Sequence, residues 1–208
     1  MTRWSLTGEP TLAQLDEIAA MLSHGSVVLL PTDTIYGLHA LANDESAVAR
    51  IAEIKGRDET KPFIVLASST RQLSQLGVSA SPEVLDALQS VWPAPLTAIL
   101  PLHRPIAASK GSSTLAIRIP DLEWLRRLLE RTGPLVPTSA NRSGEAPIHT
   151  PESLARELQQ RIDGIADGGL RDGEPSAIVD LSSGEPRFIR GGERFFTQKV
   201  WKTLWKTP

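Results

Sequence analysis

The chain contains no cysteine in its 208 residues. That one absence excludes disulfides, thiolate nucleophiles, iron–sulfur clusters and thiolate zinc sites together. Aromatic residues are few, at 5%, and the longest unbroken aliphatic run is Val27-Val28-Leu29-Leu30, too short to cross a bilayer. Neither sign of charge is in excess: 22 Lys and Arg against 24 Asp and Glu leave a net charge of −2. Coating nucleic acid or an anionic membrane by bulk charge is therefore excluded, and any cationic surface must be local. The first ten residues hold no apolar core of signal-peptide length, which predicts a cytoplasmic protein that does not engage membranes. Neither a Walker A pattern nor G-x-G-x-x-G occurs, so side chains would have to hold the phosphates of any bound nucleotide. His24, His39, His103 and His149 show no metal-ligand spacing, and no Ser-His-Asp set can be justified. No protein-held metal is expected.

What is present is an alternation of helical and strand signals over a length that suits one domain. Leu12, Leu15, Ile18, Ala19 and Leu22 recur at helical spacing before Gly25, predicting a helix over 11–24. Residues 26–31 read as a buried strand. Asp44 is placed to cap a helix reaching about Ile54, and 63–67 is a second apolar strand. Ser81-Pro82-Glu83 starts a helix reaching about Val91, because proline suits the first turn and serine can accept from its free amides. Strands are predicted at 97–100, 114–119 and 134–138, with a helix near 121–131. Thr150-Pro151-Glu152 predicts a further helix to about Arg161, followed by strands near 164–166, 177–181 and 186–190. This pattern reads as an α/β domain over 1–192 with a twisted, mostly mixed sheet. Residues 193–208 form a basic, aromatic tail. Phe196, Val200 and Leu204 are four apart, as are Trp201 and Trp205, which fits a packed terminal helix or a contact surface for RNA or a partner.

Four segments carry chemistry. Pro31-Thr32-Asp33-Thr34-Ile35-Tyr36-Gly37-Leu38 follows a strand, at the carboxyl end where open α/β sheets bind ligands. Its hydroxyls, carboxylate and phenol suit a small polar ligand, or equally a turn held by side-chain to backbone bonds. Lys55-Gly56-Arg57, with Lys61 beyond, resembles a clamp for a polyanion, though cations at a helix end also complement its dipole. Arg118 lies among apolar neighbours in a strand and needs a partner, either a protein carboxylate or a ligand anion. Residues 137–144, PTSANRSG, are dense in small hydrogen-bonding groups.

Taken in order, PTDTIYGL, KGR, WPAPLT, STLAIRIP, TSANRSG, PSAIVDL and FIRGG resemble the motifs of the YrdC-type threonylcarbamoyl-AMP synthases over roughly residues 10–192. The resemblance implies a single YrdC/RibB-like α/β domain with flanking helices and a large concave cationic cleft. It implies an enzyme, a nucleotidyltransferase, that joins L-threonine, bicarbonate or carbon dioxide and ATP into L-threonylcarbamoyl-AMP, with release of pyrophosphate. Magnesium would arrive with ATP. A threonylcarbamoyl transferase complex would then pass the group to tRNA, and direct contact with tRNA stays open. Carried over by position, Lys55 and Arg57, with Lys61, resemble the phosphate clamp and catalytic cations. Thr114, Ser139, Asn141 and Arg190 resemble ATP contacts, and Thr34, Arg118, Pro137 and Ser176 resemble L-threonine contacts.

The chain departs from the family pattern at Asp33, usually Glu, at Ala94, usually Gly, and at Gly191, frequently Pro. No general base is assigned, although Asp33 or Tyr36 lies close enough in sequence to assist. Two alternatives stand beside the synthase: a non-catalytic RNA-binding or ribosome-associated paralogue, and one that uses another amino acid or carbamoyl donor.

Overall fold

The computed structural model describes residues 1–56, 60–141, 145–183, 185–191 and 193–196. The elements in chain order are β1 (Thr2–Ser5), α1 (Leu12–Ser23), β2 (Val28–Pro31), β3 (Tyr36–Leu41), α2 (Glu45–Lys55), β4 (Ile64–Leu66), α3 (Thr70–Gln75), α4 (Pro82–Gln89) and β5 (Leu96–Pro101). They continue with β6 (Thr114–Arg118), α5 (Glu123–Thr132), β7 (Leu135–Ser139), α6 (Arg156–Gln159), β8 (Gly164–Asp167), β9 (Ala177–Asp180) and β10 (Arg187–Arg190). Short 3-10 turns lie at Ala107–Ser109, Pro151–Ser153 and Glu193–Phe195.

The helix starts follow from side-chain capping. Thr11 accepts from the Gln14 amide while Gln14 Oε1 accepts from the Thr11 amide, a reciprocal capping box. Asp44 accepts from the Ala47 amide at 3.0 Å, and Ser81 accepts from that of Val84 ahead of Pro82. The ends are equally local: Gly56 closes α2 at φ +58, in the left-handed region that glycine enters without penalty.

All ten strands join one mixed sheet in the order β1-β8-β2-β3-β7-β4-β6-β5-β9-β10. Alternation along β2 sorts its residues between the two sides. Val28 and Leu30 join the cluster under α1 and α5 with Leu15, Ile18, Trp124 and Leu128, while Leu29 faces the larger cluster with Val48, Ile51 and Phe63. Each fully buried aliphatic side chain of this kind contributes about 1.5–3 kcal/mol of transfer free energy. Among the described residues no helix is long and apolar enough to cross a membrane.

Several expectations need correction. The single helix expected from Thr150 is a 3-10 turn and the short α6, separated by Leu154 at φ −66 and ψ 125. Leu154 is buried at 3% exposure, and the Thr150 hydroxyl pairs with that of Ser153 instead of capping an amide, so packing overrides the start signal. Strands β1 and β3 and helix α3 were not expected. β3 exists because it pairs on both sides, with β2 and with β7. Ala94 does not take a positive φ, whereas Gly191 does, at +53, a conformation closed to proline. Of the tail, only 193–196 is described. Phe196 there is buried against the main core, its ring 5.9 Å from that of Phe188, and Val200, Trp201, Leu204 and Trp205 lie outside the described residues.

Candidate functional site

The strand period of two puts Thr114, Ala116 and Arg118 on one face of β6. Register then aligns Ile64, Ala116 and Ile99 in a row across β4, β6 and β5. Over this row opens a cavity of about 580 Å³, a size that holds a small organic ligand. The turn at residues 32–35, which joins β2 to β3, lines one side at the carboxyl end of β2, and residues of β4, β5 and β6 line the sheet face.

Of the residues singled out for L-threonine, Thr34, Arg118, Pro137 and Ser176 all line this cavity. Of those singled out for ATP, Thr114, Ser139, Asn141 and Arg190 line it too. The pairing of β3 with β7 explains the meeting of distant motifs, since Gly37 stands opposite Ser139 and His39 opposite Pro137. Gly37 packs closely there: a Cβ would lie 3.1 Å from both Thr138 O and the His39 ring.

Arg118, at 5% exposure, is a buried cation with two kinds of partner. Its Nη1 donates to Thr34 Oγ1 at 3.0 Å and lies 3.6 Å from Asp33 Oδ1. Burial pushes the guanidinium's pKa down from its ordinary value, and the Asp33 charge counters that. Arg118 Nε and Asp33 Oδ1 are buried without hydrogen-bond partners. Asp33 Oδ2 meanwhile accepts from the Asp121 amide at 3.0 Å, so the shorter carboxylate still bridges two elements.

Thr32 organises the turn. Its hydroxyl donates to Ile35 O at 2.8 Å, accepts from the amides of Thr34 and Ile35, and pairs with the Thr34 hydroxyl at 2.9 Å. Thr32 builds the turn, and Thr34 lines the cavity. Tyr36 is structural in its hydroxyl, which donates to Gly169 O at 2.7 Å and accepts from the Gly168 amide at 2.9 Å. Burial raises its pKa, so the phenol is a poor base at neutral pH.

The cations singled out for phosphate stand in different places. Lys55, half-buried at the end of α2, is not part of the cavity lining. Its Nζ donates to Ser139 O at 2.7 Å, Ser139 Oγ at 3.1 Å and Asn141 Oδ1 at 2.5 Å, and also to the Asn141 carbonyl. The ammonium gathers the oxygens of one wall because a lysine carries three rotatable donors on a compact charge. Lys61 is exposed beside Pro62, which does line the cavity. Arg57 lies outside the described residues. Arg190 is exposed at the rim, donating from Nε to Ser176 O at 3.0 Å and from Nη2 to the same oxygen at 2.5 Å.

Sequence reasoning missed three residues here. Thr97, fully buried on β5, pairs its hydroxyl with that of Ser176 at 2.9 Å. His39 is fully buried with its Nδ1 2.9 Å from Gly37 O. Its pKa is lowered to about 4, chiefly by burial and also by the Arg118 charge, against the raising effect of backbone hydrogen bonds. Gly173 packs directly on the Thr34 backbone. Thr97 was visible as the polar member of an otherwise apolar strand; nothing in the sequence marks the other two. Among the described residues no cluster of three His, Asp or Glu side chains is placed to hold a metal ion.

The family model Sua5_yciO_yrdC, described as telomere recombination, matches residues 20–192. The threonylcarbamoyl-AMP synthase of Bacillus subtilis is 37% identical over 192 residues, 89% of this chain and 54% of the relative. That of Pyrococcus abyssi is 36% identical over 178 residues, 84% of this chain and 52% of the relative. The chain thus spans about half the length of these two. Against the same-named protein of Xanthomonas campestris pv. campestris strain B100 it is 36% identical over 182 residues, covering 85% of this chain and 97% of the relative. The crystal structure of P. abyssi Sua5 complexed with L-threonine superposes with a TM-score of 0.85 at 31% identity, covering 99% of this chain and 61% of that one. E. coli YciO, 22% identical with a TM-score of 0.83 over 94% of this chain and 100% of that one, shares the fold.

Proposed function

This chain belongs to the Sua5/YciO/YrdC family, and from that premise we propose that it makes L-threonylcarbamoyl-AMP from L-threonine, bicarbonate or carbon dioxide and ATP. In the proposed reaction the amine of threonine adds to carbon dioxide, losing a proton, to give a carbamate. A carbamate oxygen forms a bond to the α-phosphorus of ATP, the bond from that phosphorus to the bridging oxygen breaks, and pyrophosphate leaves with the electron pair. Both reactants are anions, so the barrier is lowered chiefly by fixing them in line and offsetting their charge. The product would serve tRNA modification through a separate transferase complex in the cytoplasm.

The observation that carries this reading is the meeting in one cavity of Thr34, Arg118, Pro137 and Ser176 with Thr114, Ser139, Asn141 and Arg190. The Arg118 guanidinium, held by Thr34 and only partly offset by Asp33, suits the amino acid's carboxylate. Ser139 and Asn141 present polar groups to the nucleotide, with Lys55 directly behind them. Arg57, Lys61 and Arg190 are the proposed phosphate cations, and Lys55 is proposed to act through the wall it braces. Magnesium finds no cluster of three acidic or imidazole side chains among the described residues, so the nucleotide's own phosphate oxygens would hold it. The RNA-binding alternative gains nothing from the described start of the tail, where Phe196 is buried.

The test is substrate dependence. Pyrophosphate release should require ATP, L-threonine and bicarbonate together, and release that ignores L-threonine would overturn the assignment.

A further inference from the structure

Residues 168–176 run from β8 to β9 as a strap across the turn at 32–35. Two fixed points hold its ends: the Tyr36 hydroxyl grips Gly168 and Gly169, and the Ser176 hydroxyl meets that of Thr97. In the middle, Arg171 and His149 are bonded backbone to backbone at 2.8 Å, and His149 Nδ1 lies 2.7 Å from Arg171 O. Between these ties Gly173 approaches Thr34 so closely that a Cβ built on it would lie 2.5 Å from Thr34 O and 3.1 Å from both its C and Cα. The obstacle is backbone, which cannot swing aside as a side chain can. The φ of Gly173 lies outside the left-handed region, so space and not torsion demands glycine. Gly169 is the opposite case, at φ +75 with open space around its Cβ position.

On its other side Thr34 is bound through Oγ1 to Arg118 Nη1 at 3.0 Å and to Thr32 Oγ1 at 2.9 Å. Any movement of its backbone therefore shifts the hydroxyl that fixes Arg118. We propose that Gly173 is a positioning residue for the amino-acid half of the cavity: its missing side chain lets the strap press Thr34 into register with Arg118. This inference rests on the function proposed above.

Steady-state pyrophosphate release by the full chain tests it. Gly173→Ala should raise the KM for L-threonine about tenfold or more while the KM for ATP stays within about twofold. Both constants report the folded fraction alone, so partial unfolding would lower the apparent kcat without producing this split. Tyr36→Phe, which frees one end of the strap without adding bulk, should raise the L-threonine KM by about threefold. Leu170→Ala, on the exposed crest of the strap, should change neither constant. A threonine-dependent wild type whose Gly173→Ala variant keeps its L-threonine KM, or raises both constants equally, overturns the inference alone. If Gly173→Ala yields no folded protein, Tyr36→Phe decides, and an unchanged L-threonine KM overturns it. A wild type that releases pyrophosphate without L-threonine sinks the proposed function and this inference with it.

Discussion

Arg118 and Lys55 are each the last residue of an element, β6 and α2, and each holds its charge in a different way. Arg118 is buried, bonded to a threonine hydroxyl and set near a carboxylate whose side chain is only 6% exposed. Lys55 is half-buried and donates to backbone and side-chain oxygens of Ser139 and Asn141. The guanidinium is thus part of the cavity surface, whereas the ammonium braces a wall from behind. The contrast is one of position: one cation lines the cavity, and the other gathers groups of Ser139 and Asn141, which line it.

The sharpest way to break this contrast is Arg118→Met. Removing one member of a buried charge pair should lower stability by about 3–5 kcal/mol, because Asp33 is left buried with its charge unmatched. Chemical denaturation should register that loss, and pyrophosphate release should fall at least about 10³-fold. Loss of activity at full stability would show that Asp33 is not a true partner.

Lys55→Met should cost less in stability, since no buried carboxylate is orphaned, while lowering kcat about 10²-fold as Ser139 and Asn141 lose their common donor. Rate measurements that find wild-type turnover would remove Lys55 from the site altogether.

His39 sharpens the Arg118 side through pH. Its folded pKa of about 4 lies below the ordinary 6.5 because a buried imidazolium would be desolvated and would face Arg118. Above pH 6.5 the ring is neutral whether folded or unfolded, and stability is complete. As pH falls from 6.5 to 4 the unfolded chain takes up a proton that the folded chain refuses, so stability declines by about 3 kcal/mol. His39→Gln should flatten that part of a denaturation profile, and an unchanged slope would mean that His39 does not cause it.

The smallest effect belongs to the turn. Thr32→Val keeps the volume but deletes the hydroxyl that serves Thr34 and Ile35, and should cost about 1–2 kcal/mol in thermal unfolding. The L-threonine KM should rise with it, whereas the ATP KM should hold.

Legibility followed range. The Asp44 and Ser81 caps act within three residues, so the starts of α2 and α4 could be read directly. The common face of Thr114, Ala116 and Arg118 follows from strand periodicity alone. β3 could not be read, because Tyr36–Leu41 becomes a strand by pairing with β2 and with β7, the latter contributed from about a hundred residues away in sequence. Within the site, the sequence marked Arg118 as a cation among apolar neighbours, and the resemblance singled out Thr34, yet the residues left open whether Arg118 meets a carboxylate or a ligand. The fold answers with Asp33 at 3.6 Å and an unpaired Nε. Gly173 carried no signal, since a glycine in a loop ordinarily means torsional freedom, and only the Thr34 carbonyl above it reveals the need for space.

The sequence by itself determined the chemistry available to this protein: no thiols, no phosphate loop, and separate polar segments set among apolar strands and capped helices. These depend on composition and on neighbours a few residues apart. The tertiary structure alone decided that Lys55 turns to Ser139, 84 positions away, and that Thr34 reaches Arg118 across the same separation. Partners so distant are chosen by how the sheet packs its buried strands, and by the cost of leaving a buried polar group without a partner.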